Sequence, residues 1–301
     1  LRKKHALILF LLETWFIKFK KDCASLSTIY IESSTFGSIK FCKMDLDLKN
    51  RFFLVTGAGS GFGRAIAEHL LAEGAHVLAV ARSADVMMAF AADYPQQLEV
   101  LALDITLADS QELVMKAIGD RKIDGVVVNA GGPPAGGFHE LSVEQWDEAY
   151  HLVLRWKMTF MQRIVPVLNK QNYGRVVFIE SVSVKQPVEN LILSNAFRPA
   201  VVGFVKSLSQ DLLRNGITMN IIAPGYHDTA AMQRLFIKKS TLTGVSIQEA
   251  KSAFEQHVPA GRMGKAAELA KLALWLLSPY SAYVSGQTIS HDGGLVKGIF
   301  G

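Results

Sequence analysis

Cysteine is nearly absent from this 301-residue chain: Cys23 and Cys42 are the only two, and both fall in the first 43 residues. The remainder therefore has no disulfide, no thiolate nucleophile and no cysteine-based metal site, which fits a reducing compartment such as the cytoplasm. An excess of one charge is missing as well. The net charge of +5 is concentrated at the start, where residues 1–43 carry eight Lys/Arg against Glu13, Asp22 and Glu32, leaving 24 of each sign beyond. A neutral body lacks the basic footprint of a nucleic-acid binder. Long apolar runs are missing too, because Ala6 to Leu12 ends at Glu13, well short of the roughly 20 residues a spanning helix needs. Arg2-Lys3-Lys4-His5 before that run resembles the start of a signal peptide, but no small-residue cleavage pattern follows. Residues 1–43 read as an N-terminal extension, disordered or an artefact of start-site choice, with a membrane-associating segment as the other reading. The texture changes at Met44, and no membrane contact is expected of 44–301.

From Arg51 onward, short β-rich apolar runs alternate with longer amphipathic ones. Strands are expected over 52–56, 76–81, 98–103, 125–129, 175–180, 218–222 and 287–290, and helices near 61–73, 84–93, 109–119, 142–168, 194–215 and 265–278. Runs such as GVVVN and RVVFIE are unbroken by polar residues, as strands of a parallel sheet covered on both faces must be. The repeated βαβ rhythm implies one doubly wound, seven-stranded parallel sheet in a three-layer α/β/α domain over 44–301. Residues 230–258 interrupt that rhythm as an insertion with aromatics, Met232 and several lysines. Insertions beyond strand ends commonly carry substrate specificity.

After the first of these strands comes Thr56-Gly57-Ala58-Gly59-Ser60-Gly61-Phe62-Gly63, leading straight into the helical RAIAEHLLAEGA. Strand, glycine turn and helix bring backbone N–H groups and a helix N-terminus against a pyrophosphate, so Gly57, Ser60, Gly61, Phe62 and Gly63 are cofactor-binding candidates. The spacing T-G-x-x-x-G-x-G resembles the short-chain dehydrogenase/reductase family. The next strand ends Ala81-Arg82-Ser83 without the acidic residue that would hold the ribose hydroxyls of NAD, so Arg82 is assigned to a 2′-phosphate and NADP is expected over NAD. The alternative for Arg82 is a solvated strand end. Asp104 and Ile105 in LALDIT match the family position beside the adenine, with helix or turn capping as a compatible role for Asp104.

Farther on, Asn129-Ala130-Gly131 resembles the family's N-A-G motif, continued here as GPPAGG, and Ala223-Pro224-Gly225 through Thr229 resembles its P-G segment. The resemblance implies that Asn129 steadies the central strands, that Gly131 and Gly225 lie near the cofactor, and that Thr229 meets the nicotinamide amide. His139, His151, His227 and His291 show no metal-ligand spacing, so no metal site is expected.

The resemblance also implies a serine, a tyrosine, a lysine four residues later and an asparagine on the preceding helix. Here Ser181 matches the serine, Ser194 stands at the tyrosine position, Arg198 at the lysine position and Val153 at the asparagine position. Arg198 keeps a cation able to bind ribose, and Ser194 keeps a hydroxyl on the same helical face. An alkanol cannot match a phenol as an acid, so proton donation falls to Lys185, Tyr226, His227 or a water held by Ser181 and Ser194. Two functions stay open. One is an NADP-dependent oxidoreductase acting on a carbonyl or alcohol of a small molecule by a non-standard proton path. The other is a catalytically inactive NADP-binding sensor or assembly protein. The family resemblance further implies a homodimer or homotetramer.

Overall fold

The computed structural model describes residues 30–33, 36–40, 45–83, 87–88 and 91–299, in two compact units divided after Asp45. In the first unit, β1 (Tyr30–Ser33) pairs antiparallel with β2 (Phe36–Lys40). The rest of the 1–43 extension and half of the expected 84–93 helix lie outside the described residues.

The second unit is built on β3 (Phe52–Thr56), β4 (His76–Ala81), β5 (Leu98–Ala102), β6 (Gly125–Val128), β7 (Gly174–Ile179), β8 (Ile217–Pro224) and, after the two short strands β9 (His227–Asp228) and β10 (Gly264–Lys265), β11 (Thr288–His291). All neighbours in the main sheet are parallel, in the order β11-β8-β7-β6-β3-β4-β5. The chain winds outward from β3 in one direction and returns to build the other half from β6. The reversal opens a crevice beyond the carboxyl ends of β3 and β6, where ligands of such sheets bind.

The helices are α1 (Gly61–Ala72), α2 (Ala108–Ile118), α3 (Val143–Tyr150), α4 (Trp156–Gln171), α5 (Ile192–Leu212), α6 (Ala230–Thr243), α7 (Ile247–Glu255) and α8 (Ala266–Leu277). Alternating strand residues feed two cores: Phe53, Val55 and Val177 pack with Ile66, Leu70 and Leu277 of α1 and α8. Leu54, Val126 and Phe178 pack with Val114, Phe160, Ile164 and Val205 of α2, α4 and α5 on the other face. The unbroken apolar strands are thus covered on both sides, as the sequence requires.

Three local features differ from expectation. The single helix expected over 142–168 is α3 and α4 joined by a π-helical turn, His151–Arg155, and α4 runs on to Gln171. α3 starts at a capping box in which Ser142 Oγ accepts from Gln145 N and Gln145 Oε1 accepts from Ser142 N, an arrangement that typically contributes about 1 kcal/mol. α5 begins at Ile192 rather than at Ser194, and Pro199 lies inside it. The 230–258 insertion is the helix pair α6–α7 over a small core of Phe236, Ala250 and Met263.

Candidate active site

The glycine turn is held by close backbone approach. Gly57 and Gly61 have φ of +61° and +55°, which L side chains rarely adopt, and a Cβ on Gly63 would stand 2.2 Å from the Gly57 carbonyl oxygen. Thr56 Oγ1 donates to the Asn129 carbonyl at 2.8 Å and Asn129 Nδ2 donates to the Gly57 carbonyl at 3.3 Å, tying the turn to the end of β6. Asn129 thus braces the two central strands. Ser60 precedes α1 in extended conformation, its hydroxyl makes no capping bond, and the first turn has no acidic residue. The N-terminal amides and the positive end of the helix dipole therefore meet no anion from the protein itself. A Cβ on Gly61 or Gly131 would have nothing within 4 Å, so the crevice is open there. A cradle with open glycines, uncapped amides and no internal anion fits a dinucleotide pyrophosphate.

Arg82 is exposed immediately beyond the buried Ala81 at the end of β4. Asp104 Oδ1 accepts from Thr106 N at 3.0 Å and Thr106 Oγ1 at 2.7 Å, which makes it the cap of the turn leading to α2. The Ile105 side chain is buried in the core, so a contact with the cofactor would run through its backbone. Gly225 needs a second account. A Cβ there would meet Asp292 Cβ at 2.8 Å, so the approach of the C-terminal segment already demands glycine. Thr229 is the half-buried residue preceding α6 and makes no capping bond.

Beyond β7 the chain runs Glu180-Ser181, and Ser181 Oγ accepts from Ser183 N at 3.2 Å at the start of a 3₁₀ turn. The hydroxyl proton is left to donate. On α5, Ser194 is buried and Arg198 follows one turn later with a side chain only 12 % exposed. Arg198 Nη1 donates to Glu180 Oε2 at 2.8 Å, while the Lys157 ammonium of α4 donates to Glu180 Oε1. Burial, with the charge of Arg198 adding to it, pushes the Lys157 ammonium below the usual lysine range, and Glu180 opposes the shift. A Cβ on Gly132 would lie 3.0 Å from Arg198 Nη2. The GGPP loop and the S-N-x-x-R helix, separate departures in the sequence, therefore touch at this guanidinium.

Three residues missed by motif reasoning are Lys157, Glu180 and Asn195. Lys157 lies in register with the buried Met161, Ile164 and Leu168 of α4, where an apolar residue is expected, and Glu180 directly follows the apolar run Val176–Ile179 of β7. Those two misplaced charges were the available signal. Asn195 exchanges two hydrogen bonds with the Val188 backbone, at 3.0 and 2.9 Å, and so clasps the 182–190 loop to α5.

Of the proton-donor candidates, His227 is spent on structure. Its Nδ1 meets the Gly225 carbonyl at 3.1 Å and its Nε2 meets His291 Nδ1 at 2.9 Å, with the Phe62 ring edge-on. The carbonyl requires the proton on Nδ1, so Nε2 accepts from His291 and neither nitrogen is left for substrate. The pair borders a cavity of about 310 Å³ shared with Arg262 and Glu268. Tyr226 packs against Phe254, and burial raises its phenol above the usual range. His139 and His151 are exposed, and among the described residues no group of His, Cys, Asp and Glu could hold a metal.

Burial, with His291 adding to it, holds His227 below the usual histidine value of 6.5. Between the lowered folded value and 6.5 the unfolded chain binds the extra proton, so stability falls as pH drops below 6.5. Urea unfolding from pH 7.5 down to 5 is expected to show this loss in the wild type and a shallower one in His227→Gln. Equal slopes would contradict the assignment.

These features define a class: a doubly wound sheet with a glycine turn after its first central strand, a serine following another central strand, and a neighbouring helix that carries Ser194 and Arg198 one turn apart. The family model described as enoyl-(acyl carrier protein) reductase matches residues 57–296, and the chain belongs to the short-chain dehydrogenase/reductase family, a family of oxidoreductases. The chain is 32% identical over 254 residues to 3-oxoacyl-(acyl-carrier-protein) reductase FabG of Haemophilus influenzae, covering 82% of this chain and 99% of that protein. It is 29% identical over 252 residues to the same enzyme of Vibrio harveyi, covering 83% and 99%. Among solved structures it is similar to a point variant of actinorhodin polyketide ketoreductase with NADPH, at 29% identity and TM-score 0.78 over 83% of this chain and 98% of that one. YwfH, an NADPH-dependent reductase involved in bacilysin biosynthesis, matches at 25% identity and TM-score 0.78 over 83% and 100%. Among the described residues no helix is long and apolar enough to cross a membrane.

Proposed function

We propose that the protein is an NADP-dependent reductase that adds a hydride to a carbonyl, or removes one from an alcohol, by a proton path without the family's tyrosine. The observation that carries this reading is the open glycine cradle beside a strand end where Ser181 and the Glu180-paired Arg198 lie, with Arg82 and no acid at the end of β4. The NADPH in the polyketide ketoreductase and the NADPH dependence of YwfH support the cofactor. Bound NADPH supplies the hydride. Ser181 donates its hydroxyl proton in a hydrogen bond to the carbonyl oxygen, Arg198 holds the nicotinamide ribose, and Ser194 binds substrate or an ordered water. The proton comes from Lys185, Tyr226 or that water. All these residues lie in 44–301. Open space beside Gly203 on α5 supports helix-to-helix assembly into a homodimer or homotetramer.

The test combines cofactor titration with turnover on a panel of carbonyls. Arg82→Ala is expected to weaken NADPH selectively over NADH, since a guanidinium–phosphate bond is lost. Ser181→Ala should lower turnover about 10²–10⁴-fold, whereas Ser194→Ala should change it about tenfold or less. Abolished turnover in Ser194→Ala with unchanged affinity would make that serine essential to the proton path. Tight NADPH binding with no hydride transfer across a broad panel would instead support the sensor reading.

A further inference from the structure

Arginine–carboxylate pairs are frequently bidentate, with two parallel N–H···O bonds. The pair between Arg198 and Glu180 is not. Only Nη1 reaches Oε2, because the other carboxylate oxygen is occupied by the ammonium of Lys157, and Nη2 is left against Gly132 at the mouth of the crevice. Three elements converge here: α4 supplies Lys157, the end of β7 supplies Glu180 and α5 supplies Arg198. Lys157 and Glu180 have side chains 3 % and 0 % exposed, so neither can exchange its partner for water. The Arg198 Nε is buried without a hydrogen-bond partner, so the guanidinium is held through Nη1.

Resting on the reading of Arg198 as the ribose-holding cation, we propose that Lys157 and Glu180 are positioning residues of the cofactor site. By occupying Oε1, Lys157 prevents the bidentate pair and keeps Arg198 Nη2 directed past Gly132 at the cofactor. The arginine stem would otherwise lose its rotamer freedom only on binding, at a cost in affinity. A held guanidinium has met that cost during folding. Removal of Lys157 lets the carboxylate rotate onto both guanidinium nitrogens and draws Nη2 back from the crevice.

The experiment is a double-mutant cycle read by NADPH fluorescence titration, with each variant's fold checked by circular dichroism and urea unfolding. Lys157→Met is expected to weaken NADPH about tenfold, the size of one lost hydrogen bond to a charged group. In an Arg198→Ala background the same substitution should change affinity less than about twofold, because its effect passes through the arginine. Lys157→Arg, overpacked but still a donor to Oε1, should keep affinity within about threefold, which a merely structural role for a snug buried lysine would not allow. Should Lys157→Met fail to fold, Glu180→Asp takes its place in the cycle, since the shorter carboxylate retracts the guanidinium. Equal losses from Lys157→Met, or from Glu180→Asp in its place, with and without Arg198 would overturn the positioning role alone. Unchanged affinity in Arg198→Ala itself would overturn both that role and the assignment of Arg198 to the cofactor.

Discussion

Gly63→Ala is expected to weaken NADPH about a hundredfold, roughly 2.7 kcal/mol, while leaving a folded protein. The added Cβ would stand 2.2 Å from the Gly57 carbonyl oxygen, 2.7 Å from its carbon and 2.9 Å from Asn129 Nδ2. Backbone lies on one side and the brace to β6 on the other, so the methyl can be admitted only by opening the turn. Opening it moves the amides that face the pyrophosphate, and overpacking of this kind costs about 1–3 kcal/mol of stability as well. Gly61→Ala is a control for stability only, since its methyl would enter the space left open for the pyrophosphate. It meets no protein atom within 4 Å and bears only its positive φ of +55°, so it should lose about 1 kcal/mol of stability from left-handed backbone. Urea unfolding compares the stability of the two variants, and normal NADPH affinity in Gly63→Ala would mean the turn is softer than its contacts imply.

The largest stability effect is expected from Glu180→Gln. The substitution leaves the buried Lys157 ammonium and the Arg198 guanidinium facing a neutral amide, and breaking a buried ion pair by removing one partner costs about 3–5 kcal/mol. For a domain stable by roughly 5–15 kcal/mol that is a large share, readable in urea unfolding. The pH dependence carries a defined sign. Lys157 already sits below the usual lysine value of 10.5 through burial, and loss of Glu180 removes the charge that opposes the shift. Below 10.5 and above the lowered folded value, the unfolded chain binds the additional proton, so the variant should regain stability as pH rises through that window. Stability equal to wild type at neutral pH would show that the three charges do not act as a unit.

The sheet and its glycine turn were legible because local signals and tertiary packing agree there. GVVVN and RVVFIE can only be buried strands, and T-G-x-x-x-G-x-G between strand and helix has few alternatives. Ser181, Ser194 and Arg198 are identified by counting along the chain; Arg198 pairs with Glu180, the residue before Ser181. What motif reasoning missed was long-range pairing. Lys157 and Glu180 lie 23 residues apart, and their contact exists only once α4 packs beside β7. A charge at a core position of a helical pattern ordinarily reads as an exposed residue out of register, and its partner at a strand end reads as the first residue of a loop. The pairing that removes His227 from the donor candidates is hidden for a similar reason, since its neighbour His291 stands 64 residues away on β11. Ile105 shares the motif of Asp104, while its side chain follows the simpler rule that isoleucine is buried.

The π-helical turn at His151–Arg155 bears on how this chain can change over evolutionary time. A π turn accommodates one residue more than an α turn, equivalent to about 100° of helical phase, so α3 and α4 run on separate clocks. α3 sets its phase by Tyr150 and Trp146, which pack on Phe197, and α4 sets its own by Lys157, Phe160 and Ile164. Loss of a single codon between 151 and 155 would restore one continuous helix and force the two halves to a common phase. Either the aromatic contacts to α5 would rotate away, or Lys157 would swing off Glu180. A one-residue deletion in this turn is therefore far more disruptive than the same deletion in the loop before α3, and the extra residue is locked in by the two faces it keeps apart.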